Sequence, residues 1–529
     1  MAGRLAVDFG TSNTRLALWD EGRGAASVLR VPDVSELETY PDESGEQVEV
    51  SCIPSVIHFD GNSVWIGRQV RERGLLESNL TFRSMKHYVS NRLELPRHVN
   101  GRTIKFSEAG SEFLSRVLAY AGTEADFAEE EVAFTVPVET YEHYQEWLTT
   151  ACDKAGIRRY RLLDEASAAA LGYGVGIQGG DVYMVFDFGG GTLDVSIVRV
   201  EGEATGGKRC RVLGKGGVEM GGATIDQWLY QDVLKHAKKC PEDVLHISSL
   251  ILMEVERVKR DLTDKEAADL TVMDPNTGAV IGKRYTRTNL EDLLEEKGLY
   301  AALQSAVDRA LAVAQEAGFE RDHIKAVLLV GGSSRIPSVR RAVRQIFGER
   351  VRYHRPLDAV ALGAAAFVGG VDFYDHIQHD YALRFYDRAK GDHDYKVIVP
   401  AGTAYPTAGS IAELTIKAAR DDQEFLGISV FEVGKKESHT REEGTHLDLV
   451  YDASGGARFQ VREDPQIAST FWVNEKCPTF IHAQPKAKKG DKRFPVEFTV
   501  DGNKRLCVTV RDNESGKTLF RDHPVIKLT

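Results

Sequence analysis

The sequence predicts an α/β architecture of two duplicated lobes followed by a mostly-β domain, on three observations. To about Val371, short β-branched runs alternate with helix-period segments such as "TYEHYQEWLTTACDKAG" and "SLILMEVERVKRDLT". A strand, a glycine turn and a second strand occur in that order twice, in "LAVDFGTSNTRLALW" and in "MVFDFGGGTLDVSIVRV". After about His379 strict alternation takes over. Phe494, Val496, Phe498 and Val500 share one face, Asp501-Gly502 turns the chain, and Leu506, Val508 and Val510 resume. The chain thus divides into residues 1–371, a polar linker at 372–380 drawn from "GGVDFYDHIQHD", and residues 381–529. The basic run "KAKKGDKR" near Lys486 is bounded by strands and reads as a solvated hairpin loop.

A chain of 529 residues exceeds one hydrophobic core, and length alone suggests roughly three to five compact units. Its hydrophobic share of 42% and charged share of 28% are those of an ordinary globular protein. The formal charge of -12 removes the cationic footprint that holds phosphate backbones or anionic lipid, so no nucleic acid and no membrane is expected as a partner. The six cysteines are scattered without a C-x-x-C pair, which suits a reducing compartment. No apolar stretch reaches the ~18 to 20 residues that span a bilayer. A cytoplasmic location follows as the expectation.

The two glycine turns carry the chemistry. Asp8-Phe9-Gly10-Thr11 and Asp187-Phe188-Gly189 to Thr192 are one device used twice, about 180 residues apart. Glycine removes Cβ and permits positive φ, so successive backbone N–H groups can converge on one anion, for which phosphate is the natural occupant. Carboxylates beside a phosphate repel it unless a divalent cation or its water lies between, so Asp8 and Asp187 imply Mg²⁺ held through water. One such hairpin alone is equally an ordinary glycine turn; two copies point to a site.

Two further glycine pairs precede helices. In "AVLLVGGSSRIPSVRRAV" a buried strand runs into Gly331-Gly332 and a helix opening near Pro337, an arrangement that brings free amides to a ligand. In "VEMGGATIDQWL" Gly221-Gly222 do the same. Either alone is also a tight packing turn. In "MEVERVKRDLT", Glu256, Lys259, Arg260 and Thr263 fall at offsets of three, four and seven, on one helical face. The plain reading is a solvated stripe with a Glu256–Arg260 pair worth at most ~0.5 kcal/mol.

Together these stretches resemble the heat shock protein 70 (DnaK-type) chaperone family, which is built on the actin-like ATPase fold. "VDFGTSNT", "FTVPVE", "LLDEASAAALGYG", "FDFGGGTLDVS", "MGGATID", "ERVKRDLT" and "VLLVGGSSRIPSVRRAV" match its ATPase motifs in order, over about the first 370 residues. The resemblance implies that Gly10, Thr11, Ser12 and Asn13 cradle phosphate from one lobe and Gly189, Gly190, Gly191 and Thr192 from the other, around ATP or ADP with Mg²⁺. It implies that Gly221 and Gly222 approach the phosphates and that Glu256, Lys259 and Thr263 line the adenosine. Gly331, Gly332, Ser333 and Arg335 then close the base and ribose side. For hydrolysis it assigns Asp8 and Asp187 to waters on Mg²⁺, Glu165 and Asp194 to the attacking water, and Pro137 to the place of the family's switch proline.

This sequence also departs from the pattern. Arg71 in "WIGRQVRER" stands where the family carries a phosphate-contacting lysine, and a guanidinium does not reproduce the geometry of a compact ammonium. "DEASAAAL" replaces "NEPTAAAL", and the linker lacks the family's leucine run. The tail, with "VIVPAGTAYPT" and "FTVDGNKRLCVTVRD", is similar to the family's peptide-binding β-sandwich, and the end at Thr529 leaves no room for the helical lid. The implied partners are unfolded or specific protein clients, with J-domain and nucleotide-exchange co-chaperones. Two other readings share the cleft: a nucleotide sensor that recruits one partner with little hydrolysis, and an actin-fold small-molecule kinase.

Overall fold

The computed structural model describes the chain apart from residues 1–2, 43–44, 62, 77, 94–95, 100, 128–129, 138–141, 158, 175–178, 202–207, 370–372, 375–376, 378, 388–391, 404, 406, 434–446, 452–456, 462–469, 475–478, 502–504 and 529. Two compact units emerge, where length alone suggested three to five. The first comprises Met1–Val138, Glu146–Phe373 and Leu447–Val461; the second comprises Glu139–Gln145, Tyr374–His446 and Arg462–Thr529.

The first unit contains two large sheets of the same local design. In one, the hairpin of Arg4–Phe9 and Asn13–Asp20 is antiparallel, and Arg4–Phe9 also pairs in parallel with Val132–Val136. In the other, Val182–Phe188 is antiparallel to Leu193–Glu201 and parallel to Ile324–Val330. Strands with a parallel neighbour are covered on both faces, which explains why Val132–Val136 and Ile324–Val330 read as nearly unbroken apolar runs. The first sheet extends through Gln47–Pro54 to Glu36–Pro41 at its edge.

The lobes do not separate into independent units because one core joins them. Ala6, Ala17 and Ala133 of the first sheet and Tyr183, Val185, Ala326 and Leu328 of the second meet two alanine-rich helices, Glu165–Gly172 and Ala359–Val368. These helices nearly touch backbone to backbone: a Cβ on Gly172 would stand 1.7 Å from the Ala359 carbonyl oxygen, and one on Gly363 1.8 Å from that of Ala168. Only glycine permits so close a crossing. A second core lies beneath the helix Ser248–Asp264, whose Ile251, Val255, Val258 and Leu262 recur at helical spacing and are buried.

Among its described residues, the regular elements of the second unit are strands apart from its short helical segment. One sheet of four runs Asp392–Val399, Asp380–Asp387, Val430–Val433, Thr470–Trp472; another runs Ala412–Ile416, Phe494–Val500, Arg505–Arg511, Thr518–Lys527. Phe494, Val496, Phe498 and Val500 do share a buried face with Leu506, Val508 and Val510. Gly502 of the expected turn lies outside the described residues. In "KAKKGDKR" the middle is an exposed turn, but its last residue departs from the solvated reading. Arg493 is buried and grips Asp512 through two hydrogen bonds of 2.6 and 2.8 Å. Of the expected linker, residues 372, 375–376 and 378 lie outside the described residues; Phe373–Tyr374 forms a short strand, and His379 is buried 3.5 Å from Glu432.

Candidate functional site

The two glycine hairpins are closed in the same way and meet at their tips. Gly10 N–H donates to the Asn13 carbonyl at 3.1 Å, and Gly189 N–H to the Thr192 carbonyl at 3.0 Å. A Cβ on Gly190 would lie 2.2 Å from Ser12 Oγ, and one on Gly191 3.5 Å from Thr11 Oγ1. Among the described residues, the backbone N–H groups of Thr11, Ser12, Gly190 and Gly191 take no protein partner. Unpaired amides on two facing turns are a ready anion nest. The first hairpin is braced from behind: Phe9 packs on Phe113 and Trp147, and Ser55 Oγ donates to the Gly10 carbonyl at 2.8 Å.

Below the tips lies a carboxylate cluster. Register pairs Asp8 with Arg15 and Asp187 with Asp194. Asp8 accepts from Thr135 Oγ1 at 2.8 Å, and Asp194 accepts from Thr192 Oγ1 at 2.6 Å. Glu165, Asp187 and Asp194 line one small cavity together with Ala166, Val185 and Ser196. Burial, then the nearby Glu165, Asp194 and Asp8, hold the Asp187 carboxyl well above its ordinary pKa, against an opposing Lys86. Burial raises Glu165 as well, again opposed by Lys86.

No three His, Cys, Asp or Glu side chains among the described residues stand close enough to ligate one metal directly. Four carboxylates, Asp8, Glu165, Asp187 and Asp194, crowd together here, with Lys86 opposing them at Glu165 and Asp187 and Arg15 beside Asp8. That donor set fits a hydrated divalent cation held through its waters.

The glycine pairs before helices serve the second hairpin. Gly222 and Ala223 N–H donate to the Gly189 and Gly190 carbonyls at 3.0 and 2.8 Å, and Ser333 Oγ donates to the Gly189 carbonyl at 2.8 Å. A Cβ on Gly221 would stand 2.6 Å from the Gly190 carbonyl. These groups shape the hairpin from outside, so the Gly222 amide is engaged rather than free. Gly331 sits at φ 85° with its N–H given to the Pro356 carbonyl at 2.8 Å, so it too offers no free amide, while Gly332 is exposed.

The charged stripe on Ser248–Asp264 is not a plain solvated face. Lys259 Nζ donates to Asp226 at 2.7 Å and to the Gly222 carbonyl at 2.9 Å. Burial pushes Glu256 up, but Lys259, Arg71, Arg83 and Arg260 together hold it below its ordinary value. Arg260 reaches Glu38 at 3.2 Å instead of pairing with Glu256, and Thr263 Oγ1 bonds back to the Lys259 carbonyl at 3.2 Å. Arg335 pairs with Asp264 at 3.1 Å. Arg71 lies on this side as well: its guanidinium bonds Glu36 at 3.0 Å and is among the cations acting on Glu256. The structure therefore brings Asp8, Glu165, Asp187, Thr192 and Asp194 together and leaves Arg71 outside. Pro137 directly follows Val132–Val136; residues 138–141 beyond it are not described.

Sequence reasoning missed Lys86, which is buried and donates to Glu165. It also missed Thr135 and Ser55, and the acidic strand Glu36–Pro41, whose Glu36 and Glu38 face the stripe. Nothing in the motifs signals the hydroxyls. The lysine leaves one trace, its place among Met85, Tyr88 and Val89 in "SMKHYV".

Comparison with known proteins agrees with this geometry. A family model described as "Hsp70 protein" matches residues 95–499. The chain is 26% identical to a chaperone protein HscA homolog of Shewanella frigidimarina, over 97% of this chain and 77% of that one. It is 24% identical to a chaperone protein DnaK of Deinococcus deserti, over 98% and 78%. A DnaK of Thermus thermophilus is 27% identical over 70% of this chain and 61% of its own length. With the family model covering well over half of its length, this chain belongs to the Hsp70 family.

Proposed function

We propose that the protein is an ATP-binding and ATP-hydrolysing molecular chaperone. In this reading an actin-like nucleotide-binding domain spans residues 1–371, a linker spans 372–380, and a β-sandwich at 381–529 receives protein segments. The observation that carries it is the pair of facing glycine turns with four unpartnered amides above a carboxylate cluster. The names of the relatives support the chaperone part, and favour neither the sensor nor the kinase reading.

The division of labour follows from the residues. The amides of Thr11 and Ser12 on one tip, and of Gly190 and Gly191 on the other, bind the phosphates. Asp8 and Asp187 hold the waters of Mg²⁺, which when bound neutralises charge on the phosphate oxygens. Glu165, with Asp194 fixed by Thr192, orients a water in the cavity, since phosphoryl transfer gains most from alignment and charge stabilisation. Glu256, Lys259, Thr263, Ser333 and Arg335 border the nucleoside. Unfolded or specific protein segments, and J-domain and nucleotide-exchange co-chaperones, are the partners this family reading implies. No helix among the described residues is long and apolar enough to cross a membrane, and a cytoplasmic site of action is part of the proposal.

Calorimetric titration of the purified chain with ATP and with ADP, each with Mg²⁺, tests the reading. Binding of both, slow release of phosphate from ATP, and a nucleotide-dependent change in tryptic cleavage within residues 369–380 are expected. Failure to bind either nucleotide contradicts it.

A further inference from the structure

We propose that Tyr40 is a positioning residue that sets the specificity of the nucleotide site: its ring holds the Arg335 guanidinium in one plane at the nucleoside end, so that the site takes a nucleoside polyphosphate in preference to bare polyphosphate. The inference rests on the ATP-binding reading above. It gives a role to the edge strand Glu36–Pro41, which none of the glycine motifs contains.

Three observations carry it. The first is that the strand turns a polar face inward. Side chains at alternate positions of a strand share one face, and here Tyr40 is buried and Glu36 and Glu38 half-buried, while Leu37, Thr39 and Pro41 are exposed. Each side chain on the covered face meets an arginine from a different part of the chain. Glu36 accepts from Arg71 at 3.0 Å and Glu38 from Arg260 at 3.2 Å, while the Arg335 guanidinium carbon lies over the Tyr40 ring, 5.2 Å from its centre. A face built only for packing carries aliphatic residues; this one holds guanidinium groups in place.

The second is that Tyr40 is itself fixed. It is 2% exposed, pairs in register with Val48, packs beside Leu357 and donates its phenol O–H to the His354 carbonyl at 3.2 Å. The third is that Arg335 is held but not used up. It ends the turn Gly332–Arg335, in which Ser333 Oγ donates to the Gly189 carbonyl at 2.8 Å, so it stands beside the second hairpin. Its Nη2 reaches both oxygens of Asp264, at 3.1 and 3.2 Å, and among the described residues its Nε and Nη1 take no protein partner. A planar cation stacked on a ring and tied at one nitrogen has its direction set, and its remaining donors suit a ribose or a base. A long side chain ordered in advance loses less freedom when the ligand arrives. Phosphates held at the hairpin tips gain nothing from that plane, so the benefit falls on the nucleoside alone.

The test uses the full chain with Tyr40→Leu, Tyr40→Phe and Arg335→Lys, titrated by calorimetry with Mg-ADP and separately with Mg-pyrophosphate. Tyr40→Leu should weaken Mg-ADP binding about 10-fold, the scale of a desolvated cation–ring contact. Mg-pyrophosphate binding should change by less than about 2-fold, as expected for a site that does not share the contact. Tyr40→Phe keeps the ring and should recover most of the Mg-ADP affinity. Arg335→Lys keeps the charge without the plane and leaves the strand intact; it should show the same loss confined to Mg-ADP, and it decides the matter if Tyr40→Leu does not fold. Unchanged Mg-ADP affinity in Tyr40→Leu or Arg335→Lys, a Tyr40→Phe variant as weak as Tyr40→Leu, or equal losses for the two ligands would overturn the proposal, as would a wild type that holds pyrophosphate as tightly as ADP. Wild-type protein that binds neither ligand would overturn the ATP-binding reading and this inference with it, whereas nucleotide binding that ignores Tyr40 overturns the inference alone.

Discussion

The paired glycine hairpins and the charged stripe on Ser248–Asp264 border the same candidate site, and they are built on opposite principles. The hairpins owe their shape to backbone: each turn is closed by its own hydrogen bond, and glycine supplies the room for the tips to meet. The stripe owes its shape to side chains from far along the chain, Glu36 and Glu38 on an edge strand, Asp226 on another helix and Arg71 on a third. Backbone geometry is rigid and local, whereas an ion-pair network is adjustable and partly solvated. The first suits a demanding ligand such as phosphate. The second suits an end of the ligand that must enter and leave.

That contrast sets the order of the expected effects. Gly190→Val should be the most damaging change, because its side chain must displace Ser12. Overpacking costs ~1 to 3 kcal/mol, so nucleotide affinity measured by calorimetry should fall about 10- to 100-fold. Equal affinity in the variant would mean that the tips do not close on a ligand. Withdrawal of Mg²⁺ should weaken ATP binding by about 10-fold, the scale of one charge-assisted contact. Asp187→Asn should shrink that difference; a variant with the full Mg²⁺ response would remove Asp187 from the metal's surroundings.

On the stripe the effects should be gentler. Arg260 is half-exposed, so its bond to Glu38 belongs to the class worth ~0 to 1 kcal/mol. Arg260→Gln should therefore speed release of a fluorescent ADP analogue by no more than about 5-fold, and added salt should erase the difference. A change larger than that would make the edge strand a true gate. Smallest of all should be Arg71→Lys, which exchanges one cation for another beside Glu36. A large gain in hydrolysis from that variant would return Arg71 to the catalytic centre.

The same contrast explains what could be read in the sequence. The two hairpins, their aspartates and the amphipathic helices were legible because turn chemistry and periodicity are properties of consecutive residues. That Gly190 abuts Ser12 was not, since it depends on how two sheets pack through the helices Glu165–Gly172 and Ala359–Val368. The free amide expected at Gly331 failed for a related reason. The Pro356 carbonyl, distant in sequence, takes the Gly331 N–H. Glu36 and Glu38 alternate with Tyr40 in "ELETY" as on one strand face, but only the fold reveals that Tyr40 anchors that strand by burying beside Leu357 while donating to the His354 carbonyl at 3.2 Å. In the second unit the alternation was plain, yet Arg493 was hidden at the end of a basic run whose middle is an exposed turn. Its partner Asp512 lies across the strands. Arg71 was placed by aligning a motif, and a motif carries no information about a second cation arriving from elsewhere.

Hydrogen exchange measured by mass spectrometry, on the chain alone and with saturating Mg-ATP, examines the central idea most directly. If the two tips grip one triphosphate, peptides covering residues 8–14 and 187–193 should become protected together, at the same nucleotide concentration. Protection of one hairpin without the other, or of neither, would contradict the account.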